Sequence, residues 1–312
     1  MRVLLIGDYG AGNLGDEAIL QGMLQVLAER GLAREDLAVY SWNPEETTSL
    51  FGVPSIQRDD NRNLPEDYDR LIVGGGGIFY AANVPLYFRW IFQYLTLPKP
   101  VEVYGVGTDE LYGAAPFLRE VLNKVDDLSV RTEWDKGHLE SIGVNREIRV
   151  VDCPSLLVPT PSWKGIVDVL GKHFDVSRPL IGICLKPCRI GENFTHRFLS
   201  YIRNRVLPEY DLVPLIMCRH LFSPDEMDEV SLRALFKKLD LFDGLEEWFS
   251  MKFTPSFMKG VVQSMDRVIT NRKHPMMFAA QKGIPVMVIE DTPTFILSKY
   301  ARCYGVNHAW IW

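Results

Sequence analysis

The segment of this chain best suited to chemistry on a small anion is Arg272-Lys273-His274-Pro275. It follows an apolar run, Arg267–Thr270, that reads as a strand. It precedes Met276–Ala280, read as a helix whose first turn can hold Pro275, because the missing N–H of proline costs nothing there. Cations at a helix N-terminus oppose the helix dipole by about 0.3–1 kcal/mol each, and an anion bound among them reverses that cost. Arg272 can grip a phosphate or carboxylate through two parallel N–H groups. A histidine, ordinarily titrating near neutrality, makes His274 a natural proton donor. Lys186 and Arg189 follow a second strand, Pro179–Cys184, and could converge with Arg272 on one highly charged anion. A surface loop is the plainer reading of that pair. Arg131 leaves another strand, Leu128–Val130, either toward a ligand or toward Glu133 or Asp135.

A second cluster opens the chain. The apolar strand ending at Gly7 runs into Asp8-Tyr9-Gly10-Ala11-Gly12-Asn13-Leu14-Gly15-Asp16-Glu17, and an apolar helix follows from Ala18. Its glycines allow a tight strand-to-helix turn with little side-chain bulk between backbone and ligand. They do not fall as G-x-G-x-x-G, and no Lys-Ser/Thr closes the loop, so neither a dinucleotide fingerprint nor a P-loop is present. Asn13, Asp16 and Glu17 either complement the helix dipole or accept hydrogen bonds from sugar hydroxyls. Leu71–Val73 reads as a buried strand emptying into a second glycine loop, Gly74–Gly77, with Asn83 beyond it. Tyr87, Trp90 and Tyr94 share one helix face, as core or as a platform for a sugar ring.

The elements that position these residues alternate strand and helix, which predicts parallel sheets covered on both faces, with ligands beyond the C-terminal strand ends. Pro154, Pro159 and Pro161 mark a linker. The expected fold class is α/β: two Rossmann-like domains, 1–165 and 166–312, facing across a cleft, with the last helix (294–304) returning to the first domain. Strands are expected at 179–184, 212–217, 239–242, 267–270 and 286–288 in the second half, with helices at 192–205, 225–237, 255–265 and 275–282. Trp310 and Trp312 are expected to pack at the domain junction. A chain of 312 residues suits two domains better than one. Its net charge of -6, without a basic block, argues against a nucleic-acid partner. Five cysteines without ligand cadence point to reduced thiols, no metal and a cytoplasmic setting. The opening strand is not a signal peptide, and no apolar run reaches the roughly 18 residues of a membrane span.

The block Gly7-Asp8-Tyr9-Gly10-Ala11-Gly12-Asn13-Leu14-Gly15-Asp16-Glu17-Ala18-Ile19-Leu20 resembles the signature start of the polysaccharide pyruvyl transferase family. The resemblance continues in order through Leu71–Gly77, Tyr104–Gly107, Ser129–Arg131, Asp152–Pro154, and Arg272–His274 leading to Phe278–Val286. It implies a GT-B-like fold and transfer of the enolpyruvyl group of phosphoenolpyruvate to a sugar, usually as a pyruvate ketal. It assigns Arg272 and His274 to donor binding and acid catalysis. Lys186, Arg189, Arg131 and Lys273 then join the donor side; Gly12, Asn13, Glu17, Gly76 and Asn83 form the acceptor side, and Asp16 is the nominated general base. Phosphoenolpyruvate is a co-substrate, and neither cofactor nor metal is required. This sequence departs from the family pattern at Thr132, where an acid is usual, at Lys186, where arginine is common, and at Lys273, where leucine is common.

The resemblance leaves the acceptor open among a free sugar, a nucleotide-linked sugar and a lipid-linked glycan. The last would bring the protein to the inner membrane face through its substrate. Oligomeric state is not readable. The alternative function is a GT-B glycosyltransferase with a nucleotide-sugar donor, with Glu290 or Asp291 meeting the ribose. A catalytically idle relative is the third reading.

Overall fold

The computed structural model describes residues 1–187, 192–290 and 296–306. The chain divides into two compact units, residues 1–11 with 16–157, and residues 12–15 with 158–312. Residues 158–165 therefore lie with the second unit, and their local packing explains why. Lys259, itself buried, donates from Nζ to the Val158 carbonyl at 2.8 Å. Gly260 makes room for Ile166 and Pro161: a Cβ there would meet Ile166 Cδ1 at 2.3 Å. The helix Trp163–Leu170 begins two residues after the proline-marked segment read as a linker, started by Ser162, whose hydroxyl accepts the Gly165 N–H.

The first unit holds a seven-stranded parallel sheet. Its strands are β1 (Val3–Ile6), β2 (Leu37–Ser41), β3 (Ser55–Gln57), β4 (Arg70–Phe79), β5 (Val101–Thr108), β6 (Asp127–Val130) and β7 (Arg149–Val150). Their spatial order is β3-β2-β1-β4-β5-β6-β7. Strand order reverses between β1 and β4, so the ligand crevice of such a sheet opens beyond the C-terminal ends of those two strands. Val3–Ile6 and Leu71–Val73 are fully buried, as strands covered on both faces must be. The helix Leu14–Glu29 lays Ile19, Leu20, Met23 and Leu27 into the core. Each such side chain contributes about 1.5–3 kcal/mol on burial.

One expectation fails in this unit. Gly74–Gly77 is not a loop after a strand; β4 continues through it to Phe79. Gly75 and Gly76 take φ of 63° and 86°, and the pairing with β5 shifts register between Gly76 and Phe79. These glycines form a bulge that admits a helix: a Cβ on Gly75 would meet Ile19 Cγ2 at 2.1 Å. Tyr87, Trp90 and Tyr94 are wholly buried, Tyr87 edge to face with Phe79 and Trp90 with Tyr40, and of the two readings the core is the one the structure takes.

The second unit holds four parallel strands, β8 (Leu180–Cys184), β9 (Asp211–Pro214), β10 (Arg267–Thr270) and β11 (Val286–Val288), in the order β11-β10-β8-β9. The reversal lies between β8 and β10, whose exits carry Lys186 and Arg272. No strand forms at 239–242: the helix Asp228–Lys238 ends there, with Asp240 at φ 58°. Among the described residues, no helix is long and apolar enough to cross a membrane.

Candidate active site

The exits of β8 and β10 are tied together by one side chain. Asn271 accepts the Lys186 N–H at 2.8 Å and returns its own amide N–H to the Lys186 carbonyl at 3.2 Å. Thr270 Oγ1 accepts the Arg272 N–H at 2.9 Å, which turns the chain sharply as β10 ends. The helix Lys273–Gln281 starts immediately, with Arg272 extended at its N-cap and contributing no capping side chain. Pro275 lies in the first turn, as expected, where no intrahelical donor is required.

Arg272 does not project freely. Its Nε–H donates to Asp228 Oδ1 at 2.7 Å, its Nη1 to Glu226 Oε2 at 3.0 Å, and its Nη2 to the Glu226 carbonyl. Asp228 is completely buried, and its Oδ2 accepts the backbone N–H groups of Met217 and Cys218, both at 2.9 Å. Burial pushes the Asp228 carboxyl up from the usual carboxylate range, while Arg272 pulls it back. Burial also works against the Arg272 charge, but the acidic groups around it, Asp228 foremost and Glu226 among them, together outweigh that cost and hold the guanidinium protonated. The Cys184 thiol, 3.5 Å from Asp228, is raised by burial and by that neighbouring carboxylate, so it stays neutral.

His274 lies against the start of the first glycine-loop helix. A Cβ on Gly15 would fall 2.0 Å from His274 Nδ1, so only glycine fits beside the imidazole. Residues 12–15 belong to the second unit because the backbone is clipped there. Arg219 N–H donates to the Gly12 carbonyl at 2.8 Å, Leu14 N–H to the Met217 carbonyl at 2.7 Å, and Asn13 bridges Cys218 in antiparallel register. Gly12 has φ 84°, and a Cβ would sit 2.4 Å from the Arg219 carbonyl. The Asn13 side chain accepts the Gly15 N–H at 3.0 Å. Lys273 extends over the Tyr300 ring, 4.5 Å from its centroid. His220 Nδ1 accepts the Phe222 N–H at 3.2 Å. Arg189 and Asp291, with Trp310 and Trp312, lie outside the described residues.

The remaining predicted residues belong to the first unit. Asp16 faces β4: a Cβ on Gly76 would lie 3.6 Å from its Oδ1. Glu17, only 6 % exposed, accepts the Gly10 N–H at 2.7 Å and fixes the glycine turn from beneath. Burial raises its carboxyl to about 8, against the pull of that hydrogen bond. Asn83 sits at the N-cap of the helix Val84–Thr96 without capping it through its side chain. The Arg131 guanidinium packs on Gly107, where a Cβ would clash at 2.4 Å. Thr132, the departure from the family pattern, caps the helix Glu133–Ser141 and donates to Asp135 at 2.6 Å. Asp135 also takes the Thr108 N–H at 2.7 Å.

Three groups that the motif reading passed over prove central to these loops. Asp228 and Glu226 engage Arg272 from 44 and 46 residues away. Arg58, buried after β3, donates to the Gly7 carbonyl at 2.8 Å, to Asp8 at 2.9 Å and to Asp60 at 2.7 Å. It lies 4.6 Å from the Trp42 ring centroid, and so ties together the exits of β1, β2 and β3.

The chain is similar in fold to several solved structures. A putative UDP-N-acetylglucosamine 2-epimerase from Listeria monocytogenes superposes with TM-score 0.61 at 14% identity, covering 94% of this chain and 80% of that one. The UDP-GlcNAc 2-epimerase from Neisseria meningitidis bound to UDP-GlcNAc gives 0.61 at 16% identity, with 97% and 85% covered. Anabaena Alr3699/HepE in complex with UDP-glucose gives 0.58 at 12% identity, with 95% and 82% covered. These likenesses establish the two-domain, GT-B-like α/β architecture. No curated protein sequence matches the chain. The profile of the polysaccharide pyruvyl transferases matches residues 13–292, from the end of the first glycine loop through the Arg272–His274 turn, and the chain belongs to that family of enzymes.

Proposed function

We propose that this protein moves the enolpyruvyl group of phosphoenolpyruvate onto a sugar of a cell-surface polysaccharide or its precursor. The observation that carries this reading is the family match over residues 13–292, which contains Arg272 and His274 in the turn after β10. His274 protonates the vinyl CH2 carbon as an acceptor hydroxyl bonds to the adjacent carbon, and Asp16 takes the hydroxyl proton. Arg272, Lys186 and Arg189 balance the carboxylate and phosphate charges. A second hydroxyl then bonds to the same carbon, giving its proton back to the imidazole of His274, as the carbon–oxygen bond to phosphate breaks and phosphate departs. Gly15, flat against the imidazole, supports this role because it leaves the His274 ring space that any larger residue would fill. Arg131 and Lys273 supplement the cationic side. Gly12, Asn13, Glu17, Gly76 and Asn83 shape the acceptor side through backbone placement more than through exposed side chains.

A second reading is favoured by the solved structures of similar fold whose names include UDP-glucose or UDP-GlcNAc. In it the ligand is a nucleotide sugar, either as glycosyl donor or as the carrier of the accepting sugar. The expected ribose partner Glu290 accepts from the Ser298 N–H and hydroxyl at 2.8 and 3.0 Å, which weakens its nomination for that role. A cytoplasmic setting, at the inner membrane face when the acceptor is lipid-linked, belongs to the same proposal. The test is phosphate release from phosphoenolpyruvate across a panel of free sugars, nucleotide sugars and lipid-linked glycans. Acceptor-dependent release abolished by His274→Ala supports pyruvyl transfer. UDP release from a nucleotide sugar, without phosphate release, supports the second reading instead.

A further inference from the structure

The two carboxylates on Arg272 are built differently. Asp228 has no solvent exposure and is anchored by two backbone N–H groups. The Glu226 side chain is 41% exposed, at the end of the short 3-10 turn Pro224–Glu226, and reaches Arg272 Nη1 from the solvent side at 3.0 Å. Arg272 itself is only 12% exposed. One partner is therefore fixed by the fold, and the other can rotate into water without leaving a buried charge behind. The backbone carbonyl of Glu226 stays on Nη2 whichever way its side chain turns. A guanidinium carries five N–H groups, so an arriving carboxylate or phosphate oxygen can take the Nη1 position without disturbing the Nε–Asp228 bond.

We propose that Glu226 is an internal stand-in for the anionic donor: its carboxylate occupies Arg272 Nη1 until the donor's carboxylate or phosphate displaces it, while Asp228 acts as the positioning residue that holds the guanidinium in place. This rests on the reading that Arg272 binds an anionic donor. The exchange keeps the Nη1 donor of the largely buried guanidinium hydrogen-bonded in the empty site, where an unmet donor would be costly. It sets donor affinity below what the cationic loop alone would give, because every binding event breaks a half-exposed ion pair. Glu226→Gln keeps an acceptor oxygen but removes the competing charge.

The experiment is calorimetric titration of phosphoenolpyruvate into the wild type, Glu226→Gln and Asp228→Asn, with thermal melting of each unliganded protein as a folding control. Glu226→Gln is expected to tighten binding by about two- to five-fold, the weight of a half-exposed ion pair. Asp228→Asn is expected to weaken it by tenfold or more. Wild-type binding with an unchanged or lower affinity in Glu226→Gln overturns the proposal and leaves pyruvyl transfer standing. Should Asp228→Asn fail to fold, the Glu226→Gln comparison decides alone. If neither wild type nor Glu226→Gln binds phosphoenolpyruvate, the donor reading fails and takes this inference with it.

Discussion

The Asp228 carboxylate, wholly buried, holds Arg272 Nε at 2.7 Å and two backbone N–H groups of the segment after β9. It thereby joins the helix Asp228–Lys238, the β9 exit and the β10 exit through one group. Removing it strands a buried guanidinium. Asp228→Ala is expected to lose about 3–5 kcal/mol of stability, the usual cost of breaking a buried pair from one side. Urea unfolding checks this, and a loss below 1 kcal/mol means that water or Glu226 compensates.

Gly15 should be intolerant of alanine although it lies inside a helix. Elsewhere in a helix interior Gly→Ala gains up to about 1 kcal/mol. Here the new methyl would sit 2.0 Å from His274 Nδ1. Gly15→Ala is expected to cost about 1–3 kcal/mol through overpacking and to cut turnover with it. Melting curves alongside rates check both, and a stabilised, fully active variant contradicts the packing.

The glycines of β4 predict a contrast. Gly75 combines φ 63° with Ile19 Cγ2 at 2.1 Å from a Cβ, whereas Gly31, at φ 83°, has nothing within 4 Å. Gly31→Ala should cost only the left-handed penalty of about 1–2 kcal/mol, and Gly75→Ala clearly more. Equal losses by chemical denaturation would mean that the helix Leu14–Glu29 moves aside without penalty.

Glu17 gives the stability a pH signature. Its folded carboxyl is raised from 4.5 to about 8 by burial. The native state holds that proton more tightly than the unfolded chain, so stability contributed by Glu17 is fully present below about 4.5 and is lost as pH rises through about 8. Glu17→Gln keeps an acceptor for Gly10 N–H and removes the titration. The variant should melt higher than wild type at pH 8, by several degrees, and the gap should close toward pH 5. A gap independent of pH would mean that Glu17 is not the titrating group.

Much of this was legible because apolar runs bounded by glycine and proline mark buried parallel strands: β1, β8 and β10 fall where the run ending at Gly7, Pro179–Cys184 and Arg267–Thr270 predict. The helix Pro44–Phe51 escaped notice although its signals are local: Asn43 caps it, Pro44 starts it, and Gly52 ends it at φ 61°. Leu239–Phe242 misled because its apolar alternation suits a strand, while Asp240 in the left-handed region is a fact of the turn. The basic turn at Arg272–His274 could be read from residue types at a strand exit. Its counter-ions could not, since Glu226 and Asp228 meet Arg272 only when β9 and β10 lie on either side of β8. The glycine runs read as ligand loops, and only the position of Ile19 shows that Gly75 is packing space instead.

His274 and Arg272 should separate kinetically. Losing a general acid lowers turnover by about 10²–10⁴-fold with little change in donor affinity. His274→Ala is expected to behave this way. Arg272→Met should weaken donor binding and turnover together. Steady-state kinetics with phosphoenolpyruvate as the varied substrate distinguishes them, and near-full activity in His274→Ala would send the acid role elsewhere, to Lys273, Lys186 or His220.

The central claim is that the turn after β10 binds phosphoenolpyruvate, and its most direct measurement is thermal stabilisation of the wild type and Arg272→Met by phosphoenolpyruvate, UDP-glucose and UDP-GlcNAc in parallel. A ligand held only by the native state raises the melting temperature by mass action. The account predicts that phosphoenolpyruvate stabilises the wild type in a saturable way and that Arg272→Met, folded by the same melt, loses this response. Stabilisation by the UDP-sugars with no response to phosphoenolpyruvate would contradict it.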